Sequence, residues 1–274
     1  MDLLAGAVPA ERVNRLRAAL LRRLLAHPLT AGRELDDPGT TELRKQIIWS
    51  KPFLKAIYDE WYGMLARELP VGEGKVLELG SGGGYCAQFI PGLITSEVFP
   101  CAGVRIVADA ERMPFADRSM RAIVMTNVMH HVPDVRIFFE QASRCLRPGG
   151  KILMIEPWIT PWSSFIYKYF HHEPFHPEAA DWTYSSTGPL SGANIAMPWI
   201  VFARDRGKFE TSYPEFSIER IQPFLPFRYM ISGGVAMRSL MPGFTHSAWT
   251  RFERMLKSWM PSLGMFALIA VRRL

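Results

Sequence analysis

The strongest constraint on this chain is a ten-residue stretch in which Lys75-Val76-Leu77-Glu78-Leu79 runs straight into Gly80-Ser81-Gly82-Gly83-Gly84. An apolar run of this length suits a strand buried on both faces. Glycines directly after it let the backbone turn sharply and come close to a ligand, because no Cβ stands in the way. A strand, glycine loop and following helix place that ligand beyond the carboxyl end of the first strand of an open sheet. Similar short apolar runs follow at 93–97, 104–108, 122–126 and 151–156, the last reached through a helix at 135–146 that Arg147-Pro148-Gly149-Gly150 stops. Strands separated by helix or connector predict a parallel α/β sheet.

Acidic residues narrow the ligand. Glu78 lies inside Glu-x-Gly-x-Gly-x-Gly, Glu97 ends the second strand, and Asp109 follows the third. Carboxylates are acceptors, suited to ribose hydroxyls at Glu97 and to the adenine amino group at Asp109. The loop has no lysine or arginine for a phosphate. That favours S-adenosylmethionine over a dinucleotide, although Gly82-x-Gly-x-x-Ala87 does satisfy the nicotinamide-cofactor fingerprint.

Four motifs in order, Val76 to Gly84, Asp109-Ala110-Glu111-Arg112-Met113-Pro114-Phe115, Asn127-Val128-Met129-His130-His131 and Leu146 to Gly150, resemble those of the class I S-adenosylmethionine-dependent methyltransferases. The similarity is greatest to the type 11 group, which includes quinone-biosynthesis enzymes, and covers roughly residues 70–160. It implies a Rossmann-like α/β sheet, mostly parallel with an antiparallel last strand. It also implies cofactor contacts from Glu78, Gly80, Ser81, Gly82, Gly84, Glu97, Asp109, Ala110 and Asn127. Two departures are visible: the chain between Glu97 and the third strand is too short for the usual helix, and Arg121 stands where an aspartate is common.

The expected organisation is a helical N-terminal cap at 1–70, a cofactor core at 71–156, a lid at 157–226 and a return to the sheet at 227–274. Helix is expected at 41–68 with a break near Pro52, strand at 227–231, helix near 247–259 and a closing strand at 266–271. The lid is rich in aromatic residues and proline, which suits a bulky, largely apolar small-molecule or lipid-like acceptor. Tyr62, Trp158, Trp162, Tyr169, His171, His172 and Trp182 are its candidate contacts.

His130 and His131 follow the fourth strand, where the transferred methyl should lie, and either could take a proton from an acceptor hydroxyl. His171, His172 and His176 with Glu173 and Glu178 have metal-binding residue types, but this aromatic, proline-broken segment makes no strong helical i, i+4 pair of the usual zinc type, so no metal site is expected. Residues 11–26 form a basic amphipathic pattern that suits a cap helix or a peripheral membrane contact. The net charge of +6 comes without a long basic block or a lysine-interleaved aromatic platform, which argues against nucleic acid. Three cysteines without a CxxC pair, and the lack of a signal-like start, suggest a cytoplasmic setting. The pattern sets no oligomeric state. Intact cofactor acids also fit a different class of protein, an inactive cofactor-binding subunit that supports a partner methyltransferase.

Overall fold

The structure is a computed structural model that describes residues 26–29, 38–171, 173–186, 188 and 192–274. The basic pattern of residues 11–25 and His172 lie outside the described residues.

Two helices, α1 (Pro38–Ser50) and α2 (Pro52–Glu68), precede the sheet and part at Pro52, whose missing N–H fits the first turn of a helix. The strands are β1 (Lys75–Leu79), β2 (Ile94–Glu97), β3 (Ile106–Val107), β4 (Met120–Thr126), β5 (Leu146–Pro157), β6 (Phe216–Phe224) and β7 (Phe266–Arg273). They form one sheet in the order β3-β2-β1-β4-β5-β7-β6. β1 through β5 are parallel, and β7 is antiparallel to both β5 and β6. Chain order reverses between β1 and β4, and the crevice outside the strand ends at such a switch point is where open sheets bind ligands.

Period-two alternation divides the core. On β4, Ile123 and Met125 join Phe138 and Phe139 of α3 (Val135–Cys145) on one face. Ala122 and Val124 meet Phe53, Ile57 and Trp61 of α2 on the other. The departure at Arg121 has a structural use: its guanidinium donates to the carbonyls of Pro70 and Gly72, both at 3.1 Å, and fastens the chain entering β1.

Three expectations are corrected. The glycine loop leads into a single 3-10 turn, Cys86–Gln88, and not into an α-helix. The space is taken by the cap: a Cβ on Gly83 would stand 2.5 Å from the Lys45 amide nitrogen of α1, and one on Gly84 would strike the Tyr62 hydroxyl of α2. The stretch expected as strand at 227–231 is instead a short helix, Arg228–Ser232, because Glu253 accepts the amides of Phe227 and Arg228 and ion-pairs with the buried Arg228 guanidinium. The sheet strand of this region is β6, which begins within the stretch expected as lid. The shortened connection after Glu97 does lack a helix.

Candidate active site

One cavity of about 1050 Å³ opens above the carboxyl ends of β1, β2, β4 and β5. Ligand pockets run from roughly 300 to 1,000 Å³, so this cavity lies at the upper end of that range.

The floor on the β1 side is the glycine loop. Gly80 has φ 61°, a conformation open to glycine, and a Cβ there would lie 2.5 Å from Val128 Cγ2. Ser81 is the loop's internal fastener: its hydroxyl donates to Glu78 Oε2 at 2.7 Å and accepts the Ser96 amide at 3.1 Å. Glu97 closes the loop from β2, accepting the Gly82 amide on Oε2 and the Val98 amide on Oε1, each at 2.9 Å. Glu78 is wholly buried, and burial raises its pKa to about 7 despite the Ser81 bond. Asp109 is exposed at the mouth, where its Oδ1 accepts the Glu111 amide at 2.9 Å, and Ala110 lies beside it on the cavity wall. Asn127 ends β4 in the left-handed region at φ 57°, which asparagine tolerates better than most residues, and turns the chain into the histidine pair.

The opposite wall is built from distant segments. Glu156, the one acid on β5 and the end of its apolar run Ile152 to Ile155, accepts the Val128 and Met129 amides on Oε1, both at 2.8 Å, and meets His130 Nδ1 through Oε2 at 2.7 Å. His131 Nδ1 lies 3.0 Å from the Gly192 carbonyl. Both imidazoles therefore direct Nε2 toward Glu173, from His130 at 3.5 Å and from His131 at 3.7 Å. Burial opposes charge on His130, but Glu156 and Glu173 outweigh it and lift its pKa to about 10. Burial and the charge of His130 push His131 down to about 4. Burial also works against the Glu173 charge, yet His130 holds that carboxyl well below its ordinary range. The lid is stitched down here, because the Asn194 amide donates to the His130 carbonyl at 2.9 Å and the Tyr184 hydroxyl does so at 3.1 Å.

All the sequence-predicted cofactor residues border this cavity, as do His130, His131, Tyr62 and His171. Trp158, Trp162, Tyr169 and Trp182 do not, and their assignment as acceptor contacts is corrected. Trp158 and Trp182 belong to the core beside α3, and Trp182 Nε1 donates to Asp205 Oδ2 at 2.8 Å. Trp162 Nε1 donates to the Pro226 carbonyl at 2.9 Å, and Tyr169 packs on Phe165. Their helix, α4 (Pro161–Tyr169), turns Ile166 and Tyr167 to the cavity instead. Tyr229 and Phe266 complete that apolar wall, and Arg44 of α1 adds a cation near Glu97. Sequence reasoning passed over Glu156 as a strand end; its signal was a lone carboxylate finishing an apolar strand.

The dinucleotide reading loses its support here. Pyrophosphate in such sites rests on a helix N-terminus, and the loop meets only the 3-10 turn at Cys86.

Sheet order, loop and acids make a Rossmann-like, mostly parallel α/β sheet with a ligand cavity at its carboxyl edge. Residues 77–154 match the family model described as "Methyltransferase domain". Among curated proteins, demethylmenaquinone methyltransferases of Mycobacterium sp. strains KMS and JLS are 33% identical over 86 residues, which is 29% of this chain. The chain spans 35% of the length of those relatives. Among solved structures, the geranyl diphosphate C-methyltransferase of Streptomyces coelicolor A3(2) is similar at 17% identity, with 98% of this chain and 100% of that one covered and a TM-score of 0.49. An S-adenosylmethionine-dependent methyltransferase of Mesorhizobium loti is similar at 18% identity, with 78% and 97% covered and a TM-score of 0.43. The matched segment runs from within β1 to within β5.

Proposed function

We propose that the protein transfers a methyl group from S-adenosylmethionine to a bulky, largely apolar small-molecule or lipid-like acceptor, at oxygen or else at carbon or nitrogen. The observation that carries this reading is a single cavity whose floor holds the cofactor-type loop and acids and whose far wall holds the histidine pair. Glu78 would face the ammonium end of the donor. Glu97 would take the ribose, since each of its oxygens keeps a lone pair after accepting one backbone amide. Asp109 and Ala110 would border the adenine, and Asn127 the sulfonium.

Methyl transfer from a sulfonium is an in-line displacement with a neutral leaving group, so alignment and exclusion of water matter most. Tyr167, Tyr229 and Phe266 give the acceptor an apolar seat, and His130, His131 and Glu173 meet its nucleophilic oxygen. Exposed Phe244, Met255 and Trp259 on the surface of the C-terminal segment suit the handling of a lipid-like acceptor. The basic amphipathic pattern of residues 11–26 would add a peripheral membrane contact. Among the described residues no helix is long and apolar enough to cross a membrane.

Calorimetry with S-adenosylhomocysteine tests the donor, with saturable binding to one site expected. Incubation with methyl-labelled donor and extracted lipids and quinols tests the acceptor. Binding without transfer to any fraction would favour the inactive-subunit reading, and the absence of binding would overturn both.

A further inference from the structure

We propose that His130, His131 and Glu173 bind one divalent transition-metal ion through the two Nε2 atoms and the Glu173 carboxylate. The first observation is convergence. His130 Nε2 lies 3.5 Å from Glu173 Oε2, and His131 Nε2 lies 3.7 Å from Glu173 Oε1. The three ligand atoms all fall within 4.8 Å of one another. These separations exceed normal hydrogen bonds. Two ligands each bound to one zinc-type ion at about 2.1 Å would sit roughly 3.0–3.4 Å apart, so the two histidine–glutamate separations are a small contraction away.

The second observation is independent of the first. Each imidazole has its other nitrogen engaged, His130 Nδ1 by Glu156 at 2.7 Å and His131 Nδ1 by the Gly192 carbonyl at 3.0 Å. A carboxylate or a carbonyl on the far nitrogen is the arrangement that fixes tautomer and ring direction in metal-ligating histidines. Glu156 is itself immobilised by two backbone amides, and the Asn194 amide anchors the His130 backbone, so the ligands are held before any ion arrives.

The chemistry of the set selects the ion. Two imidazoles and one carboxylate suit zinc, iron or cobalt and not magnesium or calcium, which prefer all-oxygen shells. Two carboxylates, the buried Glu156 and the half-buried Glu173, supply charge for a divalent cation. All three ligands line the cavity, so coordination positions remain on the acceptor side. There the ion would hold an acceptor oxygen and favour its deprotonated form. That role rests on the reading above, whereas the binding itself does not.

The test uses the tag-free full chain, stripped with chelator, titrated with Zn²⁺ by calorimetry and with Co²⁺ by visible absorption. One equivalent of each should bind, with ligand-field bands for Co²⁺. His131→Ala and Glu173→Gln should each weaken Zn²⁺ at least 100-fold, and Glu156→Gln about tenfold or more. Thermal melting establishes that each variant is folded. Absence of one-to-one Zn²⁺ binding, equal affinity in the folded variants, or equal competition by Mg²⁺ would overturn the proposal. Zn²⁺ binding in a protein that ignores S-adenosylhomocysteine would leave the metal site standing and remove the donor assignment.

Discussion

The two walls of the cavity are built by opposite means. The floor on the β1 side is local: Glu78, Ser81 and Ser96 bond one another, and Glu97 accepts the Gly82 amide, across two adjacent parallel strands. The far wall is assembled from the β4 loop at 127–131, Glu156 at the end of β5, and lid residues near 173 and 192–194. A local unit carries its geometry in a few residues of spacing, whereas a long-range unit depends on how strands and lid pack. The two should therefore fail differently when altered.

The largest expected effect is on the local side. Gly80→Val forces a side chain onto Val128 from a left-handed backbone. We expect no measurable S-adenosylhomocysteine binding by calorimetry. Retained binding would mean that the floor adapts and is not the rigid unit described.

On the far side, His130→Ala should cut methyl transfer by about 10²-fold, because it removes the imidazole that holds Glu173 in place at the acceptor end of the cavity. Donor affinity should change less than about threefold, because the two walls act separately. Equal losses in binding and turnover would show that the comparison is drawn in the wrong place.

Glu78→Gln sharpens the cost carried by the local unit. The folded pKa is raised to about 7 from 4.5, so the folded state binds more protons than the unfolded state between those values. Stability associated with neutral Glu78 is complete below pH 4.5 and is lost as pH rises through 7. The amide variant, fixed neutral, should melt higher than the parent at pH 8, by a few kcal/mol at most, and equally at pH 4.5. A melting difference that does not grow with pH would remove burial of the charge as the cause. Donor affinity should fall in the same variant.

Trp182→Phe should have the smallest effect on function. It removes the Nε1 bond to Asp205 and some core volume, which should cost about 1–3 kcal/mol in chemical denaturation. KM for the acceptor should stay unchanged, since Trp182 does not border the cavity. A raised KM would return it to the acceptor wall.

Much of the sheet was legible because buried parallel strands read as short apolar runs. The cofactor floor was legible because its residues lie within a few positions of a strand end. The missing helix after the loop was not. Its place is taken by α1 and α2, and nothing at 80–90 announces that a helix 20 residues upstream will seat a tyrosine on Gly84. The aromatic lid misled for a related reason: composition counts rings but does not say which way α4 faces, and Trp162 and Tyr169 lie away from the cavity that Tyr167 borders. Arg228 and Glu253 likewise convert an apparent strand into a helix through a buried contact across 25 positions.

The sequence by itself determined the parallel sheet, the glycine loop with its acids, and a histidine pair after the fourth strand, all features of strand periodicity and short spacing. Only the tertiary structure decided what the histidines face. Glu156 and Glu173 lie 26 and 43 positions beyond His130, and no spacing rule connects them. They meet because β4 and β5 are adjacent in the sheet and the lid folds back over their carboxyl ends.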